Sequence, residues 1–159
     1  LSKKAPGLRI KTHDCRVIKT ICAMANNGPQ HGGKILIGVT DKDADADRIK
    51  KIDSIAPKGI GKRFVVGVSR EAKFLKISIE DYFSIWKERI RTSQLSVHLR
   101  DSVLSNIDFH EFYGLGVITF TIPSQTEMSY VGDDTYWRNV DSTEKANSAK
   151  QIAAIAKRF

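Results

Sequence analysis

Four aspartates at alternate positions, Asp41, Asp43, Asp45 and Asp47, are the first residues whose type and spacing could do chemistry. Oxygen ligands two residues apart open a calcium-binding loop, but such a loop needs glycine at its sixth position and glutamate at its twelfth. Ala46 and Ile52 stand there instead, so the run reads as a solvated acidic turn. A second candidate, Gly28-Pro-Gln-His-Gly-Gly33-Lys34, has the spacing of a phosphate-binding loop up to its last position. There Ile35 replaces the hydroxyl that would hold magnesium. The order of elements is also helix, loop, strand, whereas amides aimed at phosphate need strand, loop, helix. The stretch reads as a turn. His13, His31, His98 and His110 have no ligand spacing with one another or with Cys15 and Cys22, and no Gly-x-Ser-x-Gly elbow occurs. No metal site and no cofactor is expected from these residues.

The basic residues point elsewhere. Lysine and arginine number 26 against 18 acids, a net charge of +8, which favours an anionic partner. They fall in three groups: Lys3, Lys4, Arg9 and Lys11; Lys58, Lys62 and Arg63 in a glycine-containing stretch; and Lys87, Arg89, Arg91 and Arg100. Each group alone is an ordinary solvated face. Brought onto one surface, each phosphate contact would add to the salt dependence of binding. Tyr136 and Trp137 beside Arg138 could stack on a base, although aromatic residues in a strand more often fill a core.

The elements that would position these residues follow from period and punctuation. Residues 1–11 are basic, with a short strand over Leu8–Lys11. A helix over Thr12–Ala25 turns Cys15, Ile18, Cys22 and Ala25 to one apolar face. The two cysteines point the same way, cannot bond to each other within that helix, and read as buried thiols of a reducing compartment. Asn26, Asn27 and Gly28-Pro29 stop the helix. Gly32-Gly33 turns into a strand over 34–40, followed by a short helix over Arg48–Ile55 and a mobile basic loop, Pro57–Arg63. A strand over 64–68 could pair antiparallel with 34–40. Ser78–Arg91 reads as a helix with Ile79, Phe83, Trp86 and Ile90 in a buried stripe. Ile107–Tyr113 and Leu115–Ile122 alternate and meet at Gly114 as a hairpin. Strands over Met128–Val131 and Thr135–Val140 follow. Asp141-Ser-Thr-Glu144 has the form of a capping box for a last helix, with Ala149, Ile152, Ala153 and Ala156 inward. The expected class is α+β: a mixed, mainly antiparallel sheet with about three to four packed helices. At 159 residues the chain reads as one domain, and its start at Leu1 raises the expectation that it is excised from a longer protein. No apolar run reaches membrane-spanning length and no signal peptide is visible.

Ile21-Cys-Ala-Met-Ala-Asn26, the glycine pair at 32–33, Ile35-Leu-Ile-Gly-Val-Thr-Asp41 and Val65-Val-Gly-Val68 resemble, in order, the Schlafen-type AlbA-like domain, also called a divergent AAA domain. Tyr136-x-Arg138 followed by Ser142-Thr143 extends the resemblance toward the C-terminus. It implies a nucleic-acid-binding domain, often fused to other modules. In animal Schlafens, related lobes cleave RNA with clustered carboxylates, and of these the resemblance carries over only to Asp41. Where the family has Glu-Phe-Lys this chain has Arg9-Ile10-Lys11, and residues 1–12 contain no carboxylate. A metal-dependent nuclease needs several carboxylates. Exchange of one for arginine points to holding phosphate rather than breaking its ester.

The sequence is therefore read as a non-catalytic DNA- or RNA-binding module. Lys11, Lys34, Lys58, Lys62, Arg63 and Arg138 are the expected phosphate ligands, with Asn26, Gly32 and Gly33 shaping the site. The expected location is intracellular, in cytoplasm, nucleoid or nucleus, with no membrane partner. Self-association and association with further domains stay open. Two alternatives remain: a metal-dependent nuclease using Asp41, and a protein-interaction domain using Tyr136 and Trp137.

Overall fold

The structure, a computed structural model, describes residues 6–159, with side chains described from Cys15 onward. The chain divides into two compact units. Unit 1 comprises the chain up to Ile35 together with Lys87–Asn106 and Thr121–Phe159; unit 2 comprises Leu36–Trp86 and Ile107–Phe120.

Unit 1 opens with α1, Pro6–Ala25. The strand expected over Leu8–Lys11 is therefore helical: Pro6 is tolerated in a first helical turn, and nothing after it breaks the run. Val17, Ile21, Cys22 and Ala25 are buried, a stripe at helical spacing that leaves Cys15 exposed. The expected face was thus rotated, and only Cys22 is a buried thiol. α1 packs on the hairpin of β7, Tyr136–Asn139, and β8, Ser142–Lys145, which pair antiparallel. Thr20 and Thr143 hydroxyls meet at 3.1 Å across that contact. α5, Val97–Leu104, buries Leu99 and Val103. Each such aliphatic side chain contributes about 1.5–3 kcal/mol on burial.

The C-terminal half of unit 1 departs most from expectation. Asp141–Glu144 does not cap a helix, because Ser142–Lys145 is drawn into the ladder with β7. Val131 makes only isolated bridges, to Leu95 and Asp134, rather than a strand. The last helix is α6, Ala149–Ala156, and its capping box is Ser148 with Gln151: the Ser148 hydroxyl accepts from the Gln151 N–H, and the Gln151 side chain accepts in return. Ile155 is its buried residue, while Ala149, Ile152, Ala153 and Ala156 lie outward, opposite to the expected face. Arg158, just beyond, donates to the Asn26 carbonyl at 2.9 Å and so satisfies an oxygen at the end of α1.

Two further small sheets are formed besides the β7–β8 hairpin. β5, Ile107–Phe112, and β6, Leu115–Ile122, form the expected antiparallel hairpin, and β1, Gly33–Ile37, lies beside β6 in the order β1-β6-β5. The second sheet has the order β2-β4-β3, from β2, Val39–Thr40, β3, Lys58–Ile60, and β4, Arg63–Val65, with antiparallel pairing throughout. The single strand expected over 34–40 is cut at Gly38, whose φ of 97° only glycine adopts freely. Its carbonyl accepts the N–H groups of both Val66 and Gly67 at 2.9 Å, and the Val68 N–H donates to the Gly116 carbonyl at 2.8 Å. A Cβ on Gly38 would lie 2.9 Å from that same Gly116 oxygen.

The acidic run is not a turn. Asp43, Asp45 and Asp47 belong to α2, Asp43–Asp53, with two of them in the first turn and Lys50 and Lys51 in the last. That arrangement complements the helix dipole at both ends. α3, Ser69–Leu75, is held to α2 by Arg70 and Asp53 at 3.1 Å, and to α4 by Tyr82 donating to Glu71. α4, Ile79–Arg91, buries Tyr82, Trp86 and Ile90; of the stripe that the sequence predicted, Trp86 and Ile90 are buried, Ile79 and Phe83 are half-buried, and Tyr82 takes a buried place beside them. Trp86 meets Phe120 edge-on at 5.6 Å, and Phe83 meets Phe109 at 6.0 Å. The α+β class holds, with six helices among the described residues. α3 and α5 were not foreseen.

Candidate nucleic-acid interface

Lys58, Lys62 and Arg63 are brought together because the stretch expected as a mobile loop is a hairpin. Gly61 takes a φ of 59° at the turn between β3 and β4, and Lys62 occupies the turn beside it. The pairings Lys58–Val65 and Ile60–Arg63 set Lys58, Ile60, Arg63 and Val65 on one face of the ribbon. All three cations are exposed, and none makes an ion pair among the described residues. The Lys58 ammonium lies 5.5 Å from the centroid of the Tyr113 ring, a cation–π contact to the tip of the β5–β6 hairpin.

The other expected ligands are placed differently. Lys34 is exposed on β1 and makes no ion pair among the described residues. Lys11 is in α1, and its side chain lies outside the described residues, as do those of Arg9 and His13; Lys3 and Lys4 lie outside them altogether. Arg138 is engaged within its own hairpin: it donates to the Thr143 hydroxyl at 2.9 Å and to the Asp141 carbonyl at 2.6 Å. Tyr136 is buried, and its ring faces the Lys19 ammonium at 5.3 Å. Trp137 is mostly buried, with its indole N–H unpartnered among the described residues.

Asn26 and the glycine pair work inside unit 1. Asn26 is fully buried; its amide faces the Ser129 carbonyl at 3.0 Å, the Thr135 hydroxyl at 2.9 Å and the Tyr136 carbonyl at 2.8 Å. Its oxygen accepts the Ser129 N–H at 2.8 Å. One side chain thus ties the end of α1 to the segment leading into β7. Gly32 permits close approach, since a Cβ there would lie 2.8 Å from the Ile122 carbonyl. A Cβ on Gly33 would overlap the terminal methyl of Met24.

Asp41 is exposed at the end of β2. It stands one residue past the Thr40–Phe64 pair, where the β2–β4 ladder ends. Among the described residues no three of His, Cys, Asp and Glu gather into a group that could hold a metal ion. The depressions along α2 are shallow and open, unlike the enclosed clefts that bind small molecules.

Among the described residues, three groups titrate away from their ordinary values. Burial pushes the Cys22 thiol up to about 11, against weaker opposing hydrogen bonds. Lys19 is raised, chiefly by its hydrogen bond with the Cys15 sulfur. Lys145 is raised by its hydrogen bond to Asp134, 2.7 Å away. None of these groups belongs to the basic hairpin.

No helix among the described residues is long and apolar enough to cross a membrane. Comparison with curated proteins and with solved structures finds no match. The family model described as Schlafen, AlbA_2 matches residues 2–147, which takes in every strand, five of the six helices and the basic hairpin, and the chain belongs to that family.

Proposed function

We propose that this chain is a non-catalytic module that grips the phosphate backbone of DNA or RNA through the β3–β4 hairpin. The Schlafen, AlbA_2 family is associated with nucleic-acid binding, which supports the partner class. The observation that carries the reading is the hairpin itself: Lys58, Lys62 and Arg63 crowd onto one exposed ribbon with no carboxylate paired to any of them among the described residues. Three neighbouring cations without a paired acid make a local positive potential that attracts an anion. Lys34 is a further candidate ligand. A backbone grip needs no sequence preference, because phosphates present the same oxygens at every step.

The test is binding of a labelled oligonucleotide, followed by fluorescence anisotropy between 50 and 200 mM salt. Each phosphate contact adds about 0.7–0.9 to the slope of log affinity against log salt. Replacing all three cations (K58A, K62A and R63A) should flatten that slope by about 2–3. Over this fourfold salt range the intact protein should then lose roughly 20- to 40-fold more affinity than the triple variant. Equal slopes, or no binding by the intact protein, would defeat the proposal. Asp41→Ala should leave binding intact, and cleavage of labelled RNA in manganese that disappears with this substitution would favour a nuclease instead.

A further inference from the structure

The β5–β6 tip is oddly built for a turn. Tyr113 and Gly114 form its two-residue connection, with φ values of 53° and 75°. Such a turn requires positive φ at both positions and favours Asn-Gly, whereas a bulky side chain at the first position is disfavoured. Tyr113 is also 77% exposed, so neither turn propensity nor burial accounts for an aromatic ring here. Phe112 beside it is 44% exposed, and Ile60, on the Lys58 face of the basic hairpin, is 50% exposed. The ring is held by the Lys58 ammonium at 5.5 Å, which fixes its position while leaving most of it in solvent.

Val140 repeats part of this geometry, at positive φ on the β7–β8 tip, but the neighbouring Arg138 is engaged with Thr143 and Asp141. Among the described residues, Lys58 and Tyr113 make the cation–π contact whose ring is exposed, since the ring that faces Lys19, Tyr136, is buried. Glu111 does not interrupt the patch, because strand alternation sends it to the opposite face of β5 from Phe112.

We infer that Tyr113, supported by Phe112, is a base-stacking platform and that the ligand is single-stranded nucleic acid. This rests on the phosphate grip proposed above. An aromatic face can stack only on a base that is not already stacked within a duplex, and an aromatic ring beside a cationic track is the usual way single strands are held without sequence preference.

The probes are labelled oligothymidylate and oligouridylate of about ten nucleotides, each compared with a duplex of its own kind and equal length. Tyr113→Asn suits the turn and should fold at least as well as the parent. It should weaken single-strand binding by about 5- to 150-fold, leave duplex binding and the salt slope unchanged, and be rescued by Tyr113→Trp. Preference of the intact protein for duplex, or equal effects of Tyr113→Asn on both forms, would overturn the inference. If both forms bind with the lysine-dependent salt slope but Tyr113→Asn changes nothing, stacking fails and the phosphate grip survives. Failure of the intact protein to bind any probe defeats both.

Discussion

Replacing Asn26 with alanine should cost this protein a large part of its stability while sparing its binding surface. The buried amide has two protons for the three oxygen acceptors around it, and its oxygen takes one proton from Ser129, so about three hydrogen bonds are lost at once. Each contributes about 1 kcal/mol net, and the abandoned Ser129 N–H adds a desolvation penalty of about 1–3 kcal/mol, giving roughly 4–6 kcal/mol. Total stability for a chain of this size is about 5–15 kcal/mol, and each kcal/mol moves the melting temperature by about 2–4 °C. Tm should therefore fall by roughly 8–24 °C. Differential scanning fluorimetry, with urea unfolding to give the free energy, reads both. Asn27→Ala is the control, since the Asn27 side chain makes no hydrogen bond among the described residues and should shift stability by less than about 0.5 kcal/mol. A loss below about 1 kcal/mol for Asn26→Ala would refute the reasoning. Weakened oligonucleotide binding at a temperature where that variant is fully folded would return Asn26 to the interface.

Three further outcomes follow from the same geometry. Cys15 should react with iodoacetamide in the native protein while the buried Cys22 reacts only on unfolding, as peptide mapping would show. Because Cys22 is raised from 9.0 to about 11, its protonated form favours the folded state. That stability is fully present below pH 9 and is lost as pH rises through 11, by up to about 3 kcal/mol, and Cys22→Ser should flatten this limb of the urea-stability profile. Ser148→Ala removes one half of the capping box and should cost about 1 kcal/mol in the same assay, against no change for Asp141→Ala, the residue at the head of the box the sequence offered, whose side chain makes no hydrogen bond among the described residues.

What the sequence made legible was whatever one segment decides by itself. The α4 stripe and the β5–β6 hairpin could be read because thirteen residues at helical period, and two alternating runs meeting at glycine, need no outside information. α3 and α5, at seven and eight residues, are too short to display a period. Asp141-Ser-Thr-Glu144 and Ser148-Ala-Lys-Gln151 offer similar capping chemistry, and only the pairing of β8 with β7 decides between them. Alternating aspartates suggested a turn, yet acids suit a first helical turn equally well. The candidate site was half legible. Lys58, Lys62 and Arg63 were singled out by charge, but the ribbon that gathers them was read as a loop. The engagement of Arg138 with Thr143 depends on the same β7–β8 pairing. Asn26 looked like a surface helix stop because its partners, Ser129, Thr135 and Tyr136, lie a hundred residues downstream.

The meeting of Gly38, Gly67 and Gly116 dictates where this chain can change length during evolution. One carbonyl serving two amides leaves no slack, so a residue inserted on either side of Gly38 would invert the facing of every side chain up to the next turn. Gly61 is the opposite case: nothing lies within 4 Å of where its side chain would be. Relatives should therefore grow or shrink at the tip between β3 and β4 while keeping residues 36–40 invariant in number, lengthening or shortening the reach of the cationic finger without disturbing its root.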